Sequence, residues 1–360
     1  MSNPVQTHYQ KHPYPIYPLL ASVRRCDTYA LNLDALWARF NRSLPPLEAR
    51  KILIAGCGTF SPYPYAVANP DVAITALDLS AQSLRRARLH CLLHGLMNVE
   101  YRCGNLSDPA VVHEEFGLID SFGVLHHLDD PVAGLIDLER RLVPGGIMRI
   151  MLYSRYARRQ EESIRRAFRL LGIDSPADAR RILKKAPTGS RLANYLANSD
   201  EAATVSGLAD ALLHPRVHTY RIDGVLEMIA QTGLEIQLFA HRNARENPAE
   251  EIGRLKMLEN ERSSPDNFVL YLKKRDSGDS HNLDEKKILL NPCLASSVGC
   301  FSLRSLHVLS RIGIDNPKLT LSDKRFLRQF ATPVSAGDLS VSDVKRVAIY
   351  KRLLFLVGYS

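Results

Sequence analysis

"KILIAGCGTFSPYPYA", residues 51–66, is a short apolar run that ends on Gly56 and Gly58 and then loses its glycines. A compact apolar run closed by turn residues predicts a buried strand, and the residues after Gly58 predict the start of a helix. Strand, glycine turn and helix together are the unit from which a doubly wound sheet is built, with ligands held at the carboxyl ends of the strands. Asp78 ends the next strand, twenty residues after Gly58. A carboxylate there can accept bonds from both hydroxyls of a ribose. A tight turn beside a solvated strand-end aspartate is the plainer alternative.

Downstream of this loop, "AITALDL", "VEYRCG", "LIDSFGVL" and "IMRIMLY" read as further strands. "SAQSLRRARLHCLLHG" places Leu84, Ala87 and Cys91 on one helical face, with Ser80 as N-cap and Gly95 as C-cap. "DDPVAGLIDLERRLVPGG" repeats the design, with Pro131 in its first turn and Pro144-Gly145-Gly146 as its stop. This alternation predicts a parallel sheet covered on both faces. A third glycine at position 61, which a dinucleotide fingerprint needs, is replaced by Ser61 and then Pro62. The loop also lacks a Gly-Lys-Ser/Thr sequence, so it suits a nucleoside without a pyrophosphate.

The rest of the chain bounds the class. Its 360 residues are 45% hydrophobic and 24% charged, which fits a globular protein with one large domain and an appendage. No apolar run approaches membrane-spanning length and the N-terminus lacks a signal-peptide layout, so the expectation is a cytoplasmic protein without membrane association. Cys26, Cys57, Cys91, Cys103, Cys293 and Cys300 form no C-x-x-C pair, which argues against a zinc framework or a disulfide scaffold. A formal charge of +9 favours anionic partners or simply solubility.

Residues 155–215 break the alternation with three or four helical segments, before "RIDGVLEMIAQTG", "LEIQLFAH" and "NFVLYLKK" resume it. They read as an insertion into one sheet domain. Its Arg155, Arg158, Arg159, Arg165, Arg166 and Arg169 fit a solvated helix face or a site for an anionic acceptor or RNA. A polar stretch at 276–287 reads as a linker. Beyond it "LSDKRFLRQF" and "SVSDVKRVAIYKRLLFLVGY" read as helices of a small unit over 288–360. "THYQKHPYPIYPLL" is rich in proline and predicts a stiff segment without a helix of its own.

These motifs resemble those of the class I S-adenosylmethionine (SAM) dependent methyltransferases. "ILIAGCGT" is similar to the family's first motif, Asp78 to its ribose-binding acid, "CGNLSDP" to its adenine loop, "IDSFGVLHHLDDP" to its fourth-strand motif and "LVPGGIMRI" to its turn into strand five. "HPYPIYP" and "LLHP…TY" further resemble bacterial methyltransferases with a Pro-Tyr-Pro N-terminal segment.

The resemblance implies an α/β, Rossmann-like, doubly wound seven-stranded sheet over 46–275. A lid or cover segment over 1–45 and a small, mainly helical C-terminal domain would complete the chain. It implies SAM as cofactor and S-adenosylhomocysteine (SAH) as product. Gly56, Cys57 and Gly58 would pass the methionine portion, Asp78 and Leu79 the ribose, and Asn105 and Leu106 the adenine. Val124 would line the methionine side. His126 and His127, just after the fourth strand, are candidates for a base or for orienting the acceptor.

Tyr9, Tyr14 and Tyr17 of the lid are candidate pocket residues, as are Asp210, His214, His218 and Tyr220, which recur at short spacing where the insertion rejoins the sheet; capping a helix is the alternative. No metal site is expected. The acceptor would be an oxygen, nitrogen or carbon of a small or peptide-like molecule. RNA methylation, or regulatory SAM binding on a degenerate fold, are the alternatives. Ile54 stands where the family carries the acid near the SAM amino group, and Phe60 where it carries a glycine.

Overall fold

The computed structural model describes residues 3–276, 285–299 and 304–360. Seven strands form one sheet: β1 (Lys51–Ala55), β2 (Ala73–Asp78), β3 (Val99–Cys103), β4 (Phe116–Phe122), β5 (Leu142–Leu152), β6 (Leu234–Phe239) and β7 (Phe268–Lys274). Their order is β3-β2-β1-β4-β5-β7-β6. β1 to β5 run parallel, and β7 runs antiparallel to both β5 and β6. This is the Rossmann-like, doubly wound seven-stranded sheet that the sequence resemblance implies.

The alternation of side chains along β1 divides the interior. Ile52 and Ile54 enter one apolar core while Leu53 and Ala55 enter the other, which is why a run apolar at every position sits at the centre of the sheet. Between the strands lie α3 (Pro62–Ala68), α4 (Ala81–Leu93) and α5 (Pro131–Arg140). Ser80 Oγ accepts from Ser83 N to start α4, and Asp130 accepts from Val132 N and Ala133 N to start α5.

The insertion is four helices, α6 (Arg159–Leu170), α7 (Pro176–Lys185), α8 (Arg191–Asn198) and α9 (Val205–Leu213), around a core of their own that includes Phe168, Leu183, Tyr195 and Leu208. The chain returns to the sheet through α10 (Ile222–Ile229), and α11 (Pro248–Asn260) joins β6 to β7.

Three expectations need correction. The N-terminal segment does contain a helix, α1 (Pro4–Lys11). Asn3 caps Val5 N at 2.9 Å, and Pro4 occupies the first turn, where no N–H is required. Only the prolines at 13, 15 and 18 keep the backbone out of a helix. Second, the cover does not extend to residue 45. A 3-10 turn at Arg25–Leu31 and α2 (Leu33–Asn41) carry Tyr29, Leu33, Leu36 and Trp37, all in the interior.

Third, "SVSDVKRVAIYKRLLFLVGY" is not one helix. α14 (Val341–Arg352) stops, Leu354 adopts a φ of 59°, and Leu356–Tyr359 becomes a strand. A short run apolar at every position cannot be assigned by periodicity, and here both faces are buried.

That strand, β10, pairs with β8 (Lys287–Leu290), which also pairs with β9 (Val334–Ser335). This C-terminal sheet, with α12 (Ala295–Gly299), α13 (Leu321–Arg328) and α14, shares a continuous apolar core with Tyr29, Leu33 and Trp37. Asn291 Nδ2 reaches Tyr29 O at 3.1 Å, and Asn316 Nδ2 reaches the Tyr29 hydroxyl at 3.2 Å. The expected linker lies mostly outside the described residues, as does Cys300, and Lys287 already belongs to β8.

Candidate active site

After β1 the chain turns back over the end of β2. Gly56 N and Cys57 N both donate to Leu77 O, at 2.8 and 2.9 Å, and Gly58 N donates to Asp78 Oδ2 at 2.8 Å. Ser80 N donates to Asp78 Oδ1 at 2.8 Å. The carboxylate thus ties the glycine loop to the helix beyond it, and each oxygen keeps a further lone pair. Burial raises the Asp78 carboxyl above its ordinary range, and the two N–H donors work against that rise.

Gly56 and Gly58 have φ of +75° and +57°. A Cβ on Gly58 would stand 2.6 Å from the Tyr14 carbonyl oxygen, so glycine here lets the N-terminal segment cross close above the loop.

That segment is fastened along its length. Gln6 Nε2 donates to Leu79 O (3.1 Å), Ser80 Oγ to Tyr9 O (3.2 Å) and Thr59 N to Tyr14 O (3.4 Å). The Thr59 hydroxyl donates to Pro15 O, and Tyr17 packs on Phe60 with ring centroids 4.4 Å apart.

Between the strand ends and this cover lies a cavity of about 480 Å³, a size suited to a small-molecule site. Gly56, Cys57, Gly58, Asp78, Leu79, Asn105, Leu106 and Val124 line its floor and near wall, and Tyr9, Tyr14 and Tyr17 its roof. Ile54 lies in the core beneath, so no carboxylate rises from β1.

The candidate histidines separate. His127 borders the cavity, with Nδ1 2.7 Å from Arg216 O, and burial above all pulls its pKa down to about 3. His126 lies off the cavity, fully buried with its ring 3.8 Å from that of Tyr153, and burial keeps it neutral far below its usual pKa. His214 also lies behind the wall, its ring 3.8 Å from that of His127, again held neutral chiefly by burial. His218 Nε2 is 3.1 Å from Leu128 O, and Tyr220 is paired through its backbone with Ser154. These last four support the site from outside it.

The insertion contributes Arg158, Glu201 and Asp210 to the cavity wall, of which only Asp210 is a pocket candidate on sequence. Arg158 closes a bidentate pair with Glu201 at 2.6 and 2.7 Å, and its guanidinium stacks 3.9 Å over the Tyr153 ring. Asp210, on α9, accepts a 2.8 Å hydrogen bond from the Tyr9 hydroxyl and faces the cavity. The solvated-face reading holds for Arg155, Arg159, Arg166 and Arg169 but not for Arg158 or Arg165, which are buried. Arg165 donates to Ala211 O and His214 O, closing the carboxyl end of α9.

Among the described residues no cluster of three or more His, Cys, Asp or Glu is arranged to hold a metal, and no helix is long and apolar enough to cross a membrane.

Residues 53–150 match the family described as "Methyltransferase domain". The uncharacterized protein syc1184_c of a Synechococcus strain is 30% identical over 254 residues, covering 66% of this chain and 60% of that protein. The ubiquinone biosynthesis O-methyltransferase of Parvibaculum lavamentivorans is 31% identical over 136 residues, 38% of this chain and 51% of that enzyme. The chain thus spans between half and three-fifths of the length of these curated relatives. The solved structure of PKMT2 from Rickettsia typhi superposes with a TM-score of 0.54 at 16% identity, covering 96% of this chain and 77% of that one, a likeness of fold.

Proposed function

Because this chain is built around a class I SAM-dependent methyltransferase domain, we propose that it transfers a methyl group from SAM to an oxygen or nitrogen of a small or peptide-like acceptor. The observation that carries this reading is the cavity between the glycine loop, Asp78 and the N-terminal cover. Its residues fit the cofactor. The positive-φ turns at Gly56 and Gly58 let the loop lie against Val124 and the cover at the edge of the cavity, and Asp78 keeps a lone pair on each oxygen at a strand end.

Gly56, Cys57 and Gly58 would pass the methionine portion, Asp78 and Leu79 hold the ribose, Asn105 and Leu106 meet the adenine, and Val124 border the methionine. When bound, SAM supplies a methyl already activated by its sulfonium. The protein's part is then to align the acceptor and keep water out. The cover does the second, pinned over the cavity by Gln6, Ser80 and Thr59. Tyr9, Tyr14 and Tyr153 give the acceptor a largely aromatic wall. His127, a neutral imidazole anchored through Nδ1, orients the acceptor. The named relatives in ubiquinone biosynthesis support a small organic acceptor.

Calorimetry with SAM and with SAH tests the cofactor, and mass spectrometry of a cell extract supplied with methyl-labelled SAM and the full chain identifies the product. Binding of both ligands with a labelled product is expected. Failure to bind either would remove the reading.

A further inference from the structure

We propose that Asp210, held by the Tyr9 hydroxyl, is the group that takes the acceptor's proton, so that the acceptor is a protic O–H or N–H compound. This inference rests on the methyltransferase reading. Asp210 comes from the insertion and Tyr9 from the N-terminal helix, 201 residues apart in sequence, and they meet across the cavity roof at 2.8 Å.

The carboxylate is buried, at 4% relative exposure, yet it forms part of the cavity wall. The hydrogen bond from Tyr9 occupies one oxygen, and the other has no side-chain or backbone donor among the described residues.

Its surroundings do not neutralise it. Arg158 is spent on Glu201, and Arg165 on the carbonyls of Ala211 and His214. Asp210 also lies in the last turn of α9, where the helix dipole opposes a negative charge. A buried, unpaired carboxylate costs stability and is kept where its basicity is used.

The groups facing it are Tyr9 on α1, Tyr14 on the cover, Tyr153 at the end of β5, Arg158 and Arg165 beside and on α6, and Glu201 ahead of α9. Burial first, then Glu201, raises the carboxyl to about 6, while the Tyr9 bond and the two arginines lower it. It is therefore ionised at neutral pH and a stronger base than an ordinary aspartate. The histidine facing the same cavity, His127, has one nitrogen committed to Arg216 O and is a far weaker base.

In the transfer step, a lone pair on the acceptor's oxygen or nitrogen forms a bond to the methyl carbon, and the sulfur–carbon bond breaks with its electron pair left on sulfur. The sulfonium becomes the neutral thioether of SAH, and the acceptor's proton passes to Asp210.

The test compares the full-length wild type with Asp210→Asn, Asp210→Glu and His127→Asn. Each is measured for SAM and SAH affinity by calorimetry, for methyl transfer from labelled SAM in a cell extract between pH 5 and 8, and for thermal midpoint over the same range. Wild-type transfer should rise through a step near pH 6. Asp210→Asn should keep SAM and SAH affinity within about three-fold, lose transfer by about 100-fold or more, and lose the part of the thermal midpoint's pH dependence that is centred near pH 6 in the wild type. Asp210→Glu should recover part of the rate, and His127→Asn should keep the step near pH 6. Transfer by Asp210→Asn within a few-fold of wild type, or a parallel loss of SAM binding, would overturn the assignment while leaving the methyltransferase reading intact. A wild type that binds neither ligand would remove both.

Discussion

The two walls of the cavity are made differently. The wall at the strand ends is chiefly backbone: two glycines with positive φ, N–H groups aimed at one carboxylate, and a loop that returns over β2. The opposite wall is chiefly side chain, with Tyr9, Tyr153, Arg158, Glu201 and Asp210 brought from the N-terminal helix, the end of β5 and the insertion. Backbone geometry suits a ligand that is always the same, and side chains suit a partner that differs between relatives. On this division, changes in the first wall should alter cofactor affinity, and changes in the second should alter turnover.

The largest effect should come from Asp78→Ala. It removes the proposed ribose acceptor and also the acceptor for Gly58 N and Ser80 N, leaving two donors in need of partners. SAM affinity measured by calorimetry should fall by about 100-fold or more, since each charged hydrogen bond contributes about 1.5–3 kcal/mol. Retention of normal affinity would mean that the strand-end wall is not the cofactor side.

Next in size is Arg158→Met, which leaves Glu201 without its bidentate partner. The pair is only partly exposed, with 10% and 21% of the two side chains accessible. Its loss should cost roughly 2 kcal/mol of stability, below the value for a fully buried pair. Denaturant unfolding measures this cost. Turnover should fall while SAM affinity holds, and equal losses in both would erase the distinction between the walls.

The same division explains what could be read from the sequence. The glycines at 56 and 58 and the acid at 78 stand at fixed short spacings dictated by one strand-turn-helix unit, so they were legible, along with the sheet they imply. Nothing local marks Tyr9 and Asp210 as partners. One sits in a leader whose later prolines hid its helix, the other in an apolar helix of an insertion. Arg158 and Arg165 were indistinguishable in sequence from the solvated arginines around them, because burial on α6 depends on where α9 packs. The histidine pair at 126–127 drew attention by residue type, yet only His127 reaches the cavity. The apolar run at 353–359 could not reveal its strand, since its partner β8 lies on the far side of α12, α13 and α14 in sequence.

Tyr9→Phe is a finer probe. It deletes the hydroxyl that donates to Asp210 and leaves the ring in the roof. That bond favours the ionised carboxylate, so its loss raises the Asp210 pKa further above 6. The acid limb of the transfer profile should move up by about one pH unit, the equivalent of about 1.4 kcal/mol, with SAM affinity unchanged. An unmoved limb would disconnect Tyr9 from the titrating group.

The smallest expected effect concerns stability alone. The Asp210 carboxyl is raised from 3.8 to about 6 in the folded chain, so folding favours its protonated form. This contribution is fully present below the unfolded value and is lost as pH rises through about 6. A shift of about two units corresponds to roughly 3 kcal/mol between the two limits. Asp210→Asn has no such dependence, but its buried amide adds donors that cost about 1–3 kcal/mol if unpaired. At pH 8 the variant should therefore be more stable than wild type by about 1 kcal/mol. Near pH 4, where the wild-type carboxyl is neutral in the folded chain, the order should reverse. Thermal midpoints of the two proteins without ligand would cross between these limits. Parallel curves would mean that the Asp210 carboxylate in the cavity wall is not held at the cost its surroundings indicate.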